Sequence, residues 1–221
     1  MRIFILNFMV LTFSLLGQDG FEPVVPAKEV ETYRKIAANV KDKPEEALKA
    51  LQKLSAKRSA IFDFLEGAIL FENKDLSGAE KNFKNALEKF PHFYRAHLSL
   101  SALYLRRDDN KLALKHLYEV VKSGRATAGT WRNIAYCHIT EKNFHAAEEA
   151  LANVRIFAPD DKTLDRTLLD LKLQQNNFQD ALPLAVELLD KKPEEKRYWK
   201  TVITCYQQLE MPKKALRHYL L

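Results

Sequence analysis

AGTWRNIAYCHITEKNFHAAEEALANVRIFAPDD, residues 128–161, contains two amphipathic segments separated by a short polar turn. The first segment spans residues 131–141 and the second spans residues 144–157. One apolar stripe of the second segment has the four-and-three spacing of a helix face. Its members are Ala147, Leu151 and Val154. The stretch therefore predicts two amphipathic helices joined by a tight turn.

This pattern recurs with a period of 34 residues along most of the chain. Without any insertion, the repeats are residues 60–93, 94–127, 128–161, 162–195 and 196–221. The same place in each repeat holds an alanine, which indicates close helix packing: Ala79, Ala113, Ala147, Ala181 and Ala215. Tryptophan recurs at another place, as Trp131 and Trp199, and proline closes three repeats, at Pro91, Pro159 and Pro193. Five helix pairs in register are therefore predicted.

The period, the two helical halves, the tryptophan, the fixed alanine and the closing proline together resemble the tetratricopeptide repeat. The resemblance covers residues 60–221, about three quarters of the chain. It implies an all-α fold, a right-handed α-solenoid of helix-turn-helix tetratricopeptide repeats. The last two repeats depart from the family pattern, because Leu169 and Ile203 replace the small residue expected early in the first helix.

Three further segments precede the repeats. Residues 28–58 contain two weaker amphipathic stripes and are interpreted as a degenerate N-terminal capping helix pair. Residues 18–27 contain two prolines and are predicted to form an extended linker. Residues 1–17 have one basic residue before a short apolar run, which is typical of an export signal peptide. A buried helix and an uncleaved membrane anchor are the alternatives for this last segment.

The C-terminal end is apolar where a solenoid usually carries a polar cap. Five complete repeats would continue past the last residue, Leu221. One expectation is that the chain is truncated, and that a further domain such as an enzyme domain lies beyond this point. The other is that the apolar end docks onto another protein or onto another copy of the chain.

The sequence has no motif for catalysis or for a cofactor. The 6 glycines form no phosphate-binding loop, and no nucleophile is paired with a base. His138, Glu141 and His145 straddle a predicted turn, so we interpret them as packed or solvated residues and predict no metal site. Cys137 and Cys205 lie two periods apart on equivalent helices, too far for a disulfide, and are predicted to be buried thiols. We therefore predict that the protein is not an enzyme and needs no cofactor.

The charge of the chain disfavours nucleic acid as a partner. Its 35 basic and 29 acidic residues give a formal charge of +6, spread without a block of like charge. No platform of alternating aromatic and basic residues is present, and the export signal would keep the protein away from nucleic acid.

In the tetratricopeptide family the first helices of successive repeats line a concave groove, so the resemblance implies the groove positions by phase. Five of 30 such positions are arginine, where chance would place about 1.6. Arginine binds carboxylates through a planar fork, which favours an acidic or carboxylate-ended peptide as partner. The predicted binding residues are Phe64, Leu65, Phe71, Arg95, Arg106, Arg132, Asn133, Tyr136, Arg166, Asp170, Arg197 and Lys200. The alternative is that the apolar residues pack on the capping pair and the arginines are solvated.

These features predict an exported, non-enzymatic scaffold or adaptor of a bacterial periplasm or cell envelope, or a secreted one. It would bind a peptide or partner helix in its groove. The alternative is a membrane-tethered accessory subunit of an envelope complex, which would be anchored by its N-terminal segment and would dock through its apolar C-terminal helix.

Overall fold

The structure is a computed structural model that describes residues 20–219, with side chains described for residues 20–215. All regular elements in this range are helical. The predicted export signal lies outside the described residues, as do Leu220 and Leu221 of the apolar end. None of the helices between residues 20 and 219 combines the length and the apolarity that a bilayer crossing requires. The chain divides into unit 1, Met1–Ala126, and unit 2, Thr127–Leu221.

Unit 1 consists of an extended segment, a short 3-10 turn at Ala27–Glu29 and six helices. The helices are α1 (Val30–Asp42), α2 (Pro44–Gln52), α3 (Ala60–Glu72), α4 (Leu76–Lys89), α5 (Tyr94–Arg106) and α6 (Asn110–Lys122). The core is aromatic: the Phe64 ring packs on Phe83 at 5.8 Å and on Phe93 at 4.9 Å between centroids. Because α1 also covers α3, with Tyr33 against Phe62 at 6.4 Å, both the inner and the outer face of α3 are buried.

Unit 2 contains the remaining helices, again arranged as pairs. They are α7 (Ala128–Thr140), α8 (Phe144–Phe157), α9 (Leu164–Gln174), α10 (Phe178–Lys191), α11 (Lys196–Gln208) and α12 (Pro212–Tyr219). Leu169, one of the residues that depart from the family pattern, is fully buried in a cluster with Ala181, Ala185 and Val202. The larger side chain is therefore accommodated inside the core of this unit.

The turns inside the helix pairs follow the 34-residue period closely. One residue in each turn adopts the left-handed backbone conformation, and none of them is glycine: Lys74, Asp108, Lys142, Asn176 and Glu210. The next residue is the N-cap of the second helix of the pair, and its N–H donates to the carbonyl five residues earlier, as in Asp75 to Leu70 at 2.9 Å. The Asp75 side chain then accepts from the N–H of Gly78 at 2.9 Å and caps α4. The turns that end at Asp75, Asp109 and Asn177 therefore satisfy both the end of one helix and the start of the next.

The repeated alanines lie where helices pack closely. Four of them are fully buried and Ala215 is 4% exposed. Gly67 has a similar role in unit 1, since a Cβ there would lie 2.7 Å from Cδ1 of Phe83. This glycine is needed for close approach of α3 and α4, because a real Cβ would displace the phenylalanine ring.

Residues 21–26, which belong to the predicted extended linker 18–27, are packed against unit 1. Their backbone is extended, as their prolines indicate, but Pro23 and Val25 are buried. Apolar contacts and an ion pair therefore hold this extended segment on the helices.

A pair of buried histidines in unit 1 makes stability depend on pH. Nδ1 of His97 lies 2.9 Å from Nδ1 of His116, and Nε2 of His97 lies 3.0 Å from the Pro91 carbonyl oxygen. The carbonyl can only accept, so His97 donates there and its Nδ1 accepts from His116. Burial, together with the neighbouring His97, lowers the pKa of His116 to about 4.

We expect the free energy of unfolding of unit 1 to fall as the pH is lowered from about 6.5 to about 4. The unfolded chain takes up the proton at the ordinary histidine pKa, while folded His116 resists it, so protonation favours the unfolded state by on the order of 2 to 3 kcal/mol. Urea unfolding across this range should show the loss in the native sequence and a much smaller loss in His116→Phe. The exposed His145 provides the control. If His145→Phe abolished the pH dependence of the unfolding free energy as His116→Phe is expected to, this dependence could not be assigned to His116.

Candidate functional site

The predicted apolar residues of the groove belong to the core of unit 1. Phe64, Leu65 and Phe71 are 1%, 2% and 4% exposed. Phe64 packs on other phenylalanine rings, and the Arg106 guanidinium covers the Phe71 ring at 4.1 Å. A partner cannot reach these three side chains, so their prediction as binding residues is corrected to a packing role.

The two groove arginines of unit 1 are also engaged within the unit. Arg95 is buried, and its Nε lies 3.1 Å from the carboxylate of Glu22. Arg106 is exposed to solvent, and its guanidinium stacks on the Phe71 ring. In unit 1 the chain itself therefore supplies a carboxylate to Arg95, whereas Arg106 contacts an aromatic ring.

The first helix of unit 2 presents three predicted residues to differing degrees. On α7, Tyr136 is 52% exposed, Arg132 is exposed and Asn133 is half-buried. Arg132 donates from Nη1 to the Asp161 carboxylate at 2.6 Å. The Thr163 hydroxyl donates to the same carboxylate, and together with Arg132 it holds the pKa of Asp161 below its ordinary value. Arg132 is thus already paired with Asp161 in the loop before α9, whereas the Tyr136 side chain is exposed to solvent.

The other predicted residues of unit 2 lie on α9 and α11. Arg166 and Lys200 are exposed, and Asp170 is half-buried. Arg197 donates from Nη2 to the carboxylate of Asp170. This pair joins two predicted residues 27 positions apart in sequence, so it brings α11 and α9 together at their groove faces.

A cleft between these two helices gathers the basic side chains. It has a volume of about 530 Å³, and we call it the unit-2 cleft. Its lining residues are Leu173, Lys196, Arg197, Lys200, Thr201 and Thr204. Within residues 20–215, Lys196 and Lys200 form no ion pair, and Arg197 pairs only with Asp170. The cleft therefore offers three cations, two hydroxyls and one aliphatic wall, which suits a carboxylate beside an apolar side chain.

Sequence reasoning placed five of the six lining residues on the groove face by phase but missed Lys196. Lys196 is the first residue of α11 and precedes the positions that the repeat phase assigns to the groove. Its basic neighbours Arg197 and Lys200 were the available signal.

The chemistry of the described residues fits binding and offers no metal cluster. Among residues 20–219, no three His, Cys, Asp or Glu side chains are grouped to hold a metal ion. His138 is buried, and His145 points to Glu149 at 3.5 Å, so these two histidines lie in different surroundings. Cys137 and Cys205 are both buried and unpaired, as predicted, and burial raises the pKa of the Cys137 thiol to about 11. Neither thiol is therefore activated as a nucleophile.

Comparison with known proteins agrees with this architecture. The family model of the tetratricopeptide repeat matches residues 75–129. MamA from Desulfovibrio magneticus, residues 41 to the end, is similar with 20% identity and a TM-score of 0.64, over 78% of this chain and 99% of that chain. YrrB, described as a TPR protein with an unusual peptide-binding site, is similar with 15% identity and a TM-score of 0.63, over 77% and 87% of the two chains.

A third structure, a tetratricopeptide repeat protein from Parabacteroides merdae, has 16% identity and a TM-score of 0.63, over 87% of this chain and 78% of that chain. A search of curated proteins finds no match. The match to the family model places tetratricopeptide repeats at residues 75–129, and the predicted class, an all-α fold of helix-turn-helix repeats, is confirmed.

Proposed function

We propose that the protein is a non-enzymatic scaffold that binds an acidic or carboxylate-ended segment of a partner protein in the unit-2 cleft. The observation that carries this proposal is the convergence of Lys196, Arg197 and Lys200 beside Leu173 in one open cleft. Tetratricopeptide-repeat proteins are in general interaction scaffolds, and YrrB, described as having a peptide-binding site, has a similar fold.

The Asp170 and Arg197 pair indicates how such a segment would be held. A carboxylate of the chain already engages Arg197 from one side. Lys200 and Lys196 remain for the carboxylate of a partner, and Leu173 is available for an aliphatic side chain next to it. Arg132, Tyr136 and Arg166, which are exposed, would contact the continuing partner segment on α7 and α9.

We expect the double variant Arg197→Glu and Lys200→Glu to bind acidic peptides on the order of 100-fold more weakly, since the hydrogen bond from Lys200 is lost and the two introduced carboxylates repel an acidic peptide. The measurement is fluorescence anisotropy with labelled short peptides that differ in acidic content and in a free or amidated C-terminus. Affinity for the native chain should rise with acidic content and fall with added salt.

The matched control places the same charge change elsewhere in unit 2, as Lys142→Glu and Lys192→Glu, both exposed and outside the cleft. The control should lose little affinity, because its changes lie away from the bound peptide. Equal losses in the two double variants would show a general effect of charge and would remove the cleft from the proposal.

We further propose that the protein is exported to the periplasm or cell envelope, on the pattern of residues 1–17. Intact mass of the protein purified from its own cells tests this. A mature chain that lacks these residues supports export with cleavage, whereas a chain that retains them supports the tethered accessory subunit.

A further inference from the structure

The segment of residues 21–26 lies on unit 1 in the manner of a bound peptide. Its side chains alternate: Pro23 and Val25 are buried, while Val24 between them is 55% exposed. This two-residue alternation is that of an extended chain with one face against a surface. The segment continues into the turn Ala27–Glu29, so among the described residues it is attached to the helices at one end.

The backbone contact of the segment uses a donor that the helices leave open. The N–H of Tyr94, the first residue of α5, donates to the carbonyl oxygen of Phe21 at 3.2 Å. The first N–H groups of a helix have no acceptor within it, so an outside chain can take them. The Phe21 ring also meets the His92 ring edge-on at 6.5 Å.

The Glu22 side chain of the segment pairs with Arg95, but the pair lacks a hydrogen bond of good geometry. Glu22 lies 3.1 Å from Nε of Arg95, with the two side chains 14% and 10% exposed. Its oxygens are buried and have no hydrogen bond of good geometry within the described residues. Burial outweighs the attraction of Arg95 and raises the pKa of Glu22 to about 7. The docked carboxylate is therefore tolerated at a cost, which limits the stability of docking.

The same position of the repeat holds a carboxylate in both units. Arg95 is the second residue of α5 and Arg197 is the second residue of α11, three periods later. Arg95 pairs with Glu22 and Arg197 pairs with Asp170. Glu22 therefore occupies, beside Arg95, the place that Asp170 occupies beside Arg197.

We propose that residues 21–26 are an exchangeable intramolecular ligand of a second peptide site, formed on unit 1 by Tyr33, His92, Tyr94 and Arg95. The site takes an extended partner peptide in which an acidic residue is followed by proline and aliphatic residues, as in the chain's own Phe-Glu-Pro-Val-Val-Pro sequence. The chain's segment competes with such a partner, so the site is closed until the partner displaces it. This goes beyond the proposed function, which concerns the unit-2 cleft.

The test uses the full chain and a labelled peptide of residues 20–27. Val25→Asp places an unpaired carboxylate in a buried position and should undock the segment. Val24→Asp, one residue away and exposed, is the matched control. We expect the Val25→Asp chain to bind the peptide about tenfold or more tightly than the native chain or Val24→Asp, because a tethered competitor has a high effective concentration. The same peptide carrying aspartate in place of its second valine should not bind.

Equal peptide binding by the Val25→Asp and Val24→Asp chains would overturn the proposal, and so would loss of cooperative unfolding in Val25→Asp, since the segment would then be part of the core. Adding Arg197→Glu and Lys200→Glu to both the Val25→Asp and the Val24→Asp chains should leave the difference in peptide affinity between them unchanged. If these changes abolished it, the peptide would belong to the unit-2 cleft and the second site would be wrong.

Hydrogen exchange of the native chain gives a readout that needs no variant. An exchangeable segment exposes the Tyr94 amide without opening the helix core, so this amide should exchange about tenfold or more faster than that of buried Leu100 on the same helix. Equal protection of the two amides would overturn the proposal.

Discussion

Replacement of Arg58 by methionine is expected to lower the free energy of unfolding of unit 1 by about 3 to 5 kcal/mol. Arg58 lies in the loop between α2 and α3 and binds two buried carboxylates. Its Nε donates to Asp63 at 2.9 Å, its Nη2 donates to Glu66, and its Nη1 donates to the Leu51 carbonyl at 2.5 Å. Asp63 and Glu66 are 2% and 8% exposed, so water cannot replace the lost guanidinium.

In the Arg58 variant, Lys89 would remain as a charged partner of Asp63, so the loss of stability is limited but not abolished. Lys89 donates to the other oxygen of Asp63 at 2.5 Å, while its remaining bonds go to the carbonyls of Ala56 and Arg58. Glu66 would therefore be the carboxylate left without a charged partner, and Leu51 would lose a donor. The measurement is urea unfolding followed by circular dichroism at neutral pH.

Arg107→Met is the control for the Arg58 experiment. Arg107 pairs with Glu80, but it is 33% exposed, and Glu80 keeps its bonds from Lys84 and Tyr104. We expect a loss of at most about 1 kcal/mol there. If Arg58→Met and Arg107→Met lost equally little stability, the ion pairs of Arg58 would contribute no more than surface pairs do. That outcome would contradict the role assigned to their burial.

The second large effect is expected for Phe83→Ala, which should destabilise unit 1 by about 3 to 5 kcal/mol. Phe83 on α4 is fully buried and packs both on Phe64 and on the bare backbone of Gly67. Loss of the ring leaves a cavity between α3 and α4, and the close packing around the glycine would hinder its collapse.

A phenylalanine at the surface provides the matched comparison for Phe83. Phe157 ends α8 and is 53% exposed, so Phe157→Ala should change stability by at most about 0.5 kcal/mol. Both variants remove the same atoms, and urea unfolding reports the difference. A small effect at Phe83 would mean that the α3 and α4 interface is not the tightly packed contact described above.

Much of the architecture could be predicted because its causes lie close together in sequence. Apolar stripes at helical spacing, an alanine in every period and polar residues between the stripes are local features, and the helices formed from them. Within each pair the turn is also local: a left-handed residue such as Lys74 is followed directly by a capping residue such as Asp75. The left-handed conformation itself was not predicted, because no glycine marks it.

The candidate site could be predicted only in part. Helical phase assigned Arg197 and Lys200 to groove positions, and in the structure both line the unit-2 cleft together with Leu173. Phase could not show that Asp170 pairs with Arg197, or that Asp161 engages Arg132, because these partners are 27 and 29 residues apart.

The sequence by itself determined the 34-residue period and its helix pairs, since a side chain's periodic position decides which face of its own helix it occupies. Only the tertiary structure decided which of those faces remain open. Phe64 and Arg95 occupy groove positions by phase, yet they are buried. Phe64 packs on the Phe83 and Phe93 rings, and Arg95 lies against Glu22 of the segment 21–26. Exposure depends on what packs against a face, and that is set by contacts between residues far apart along the chain.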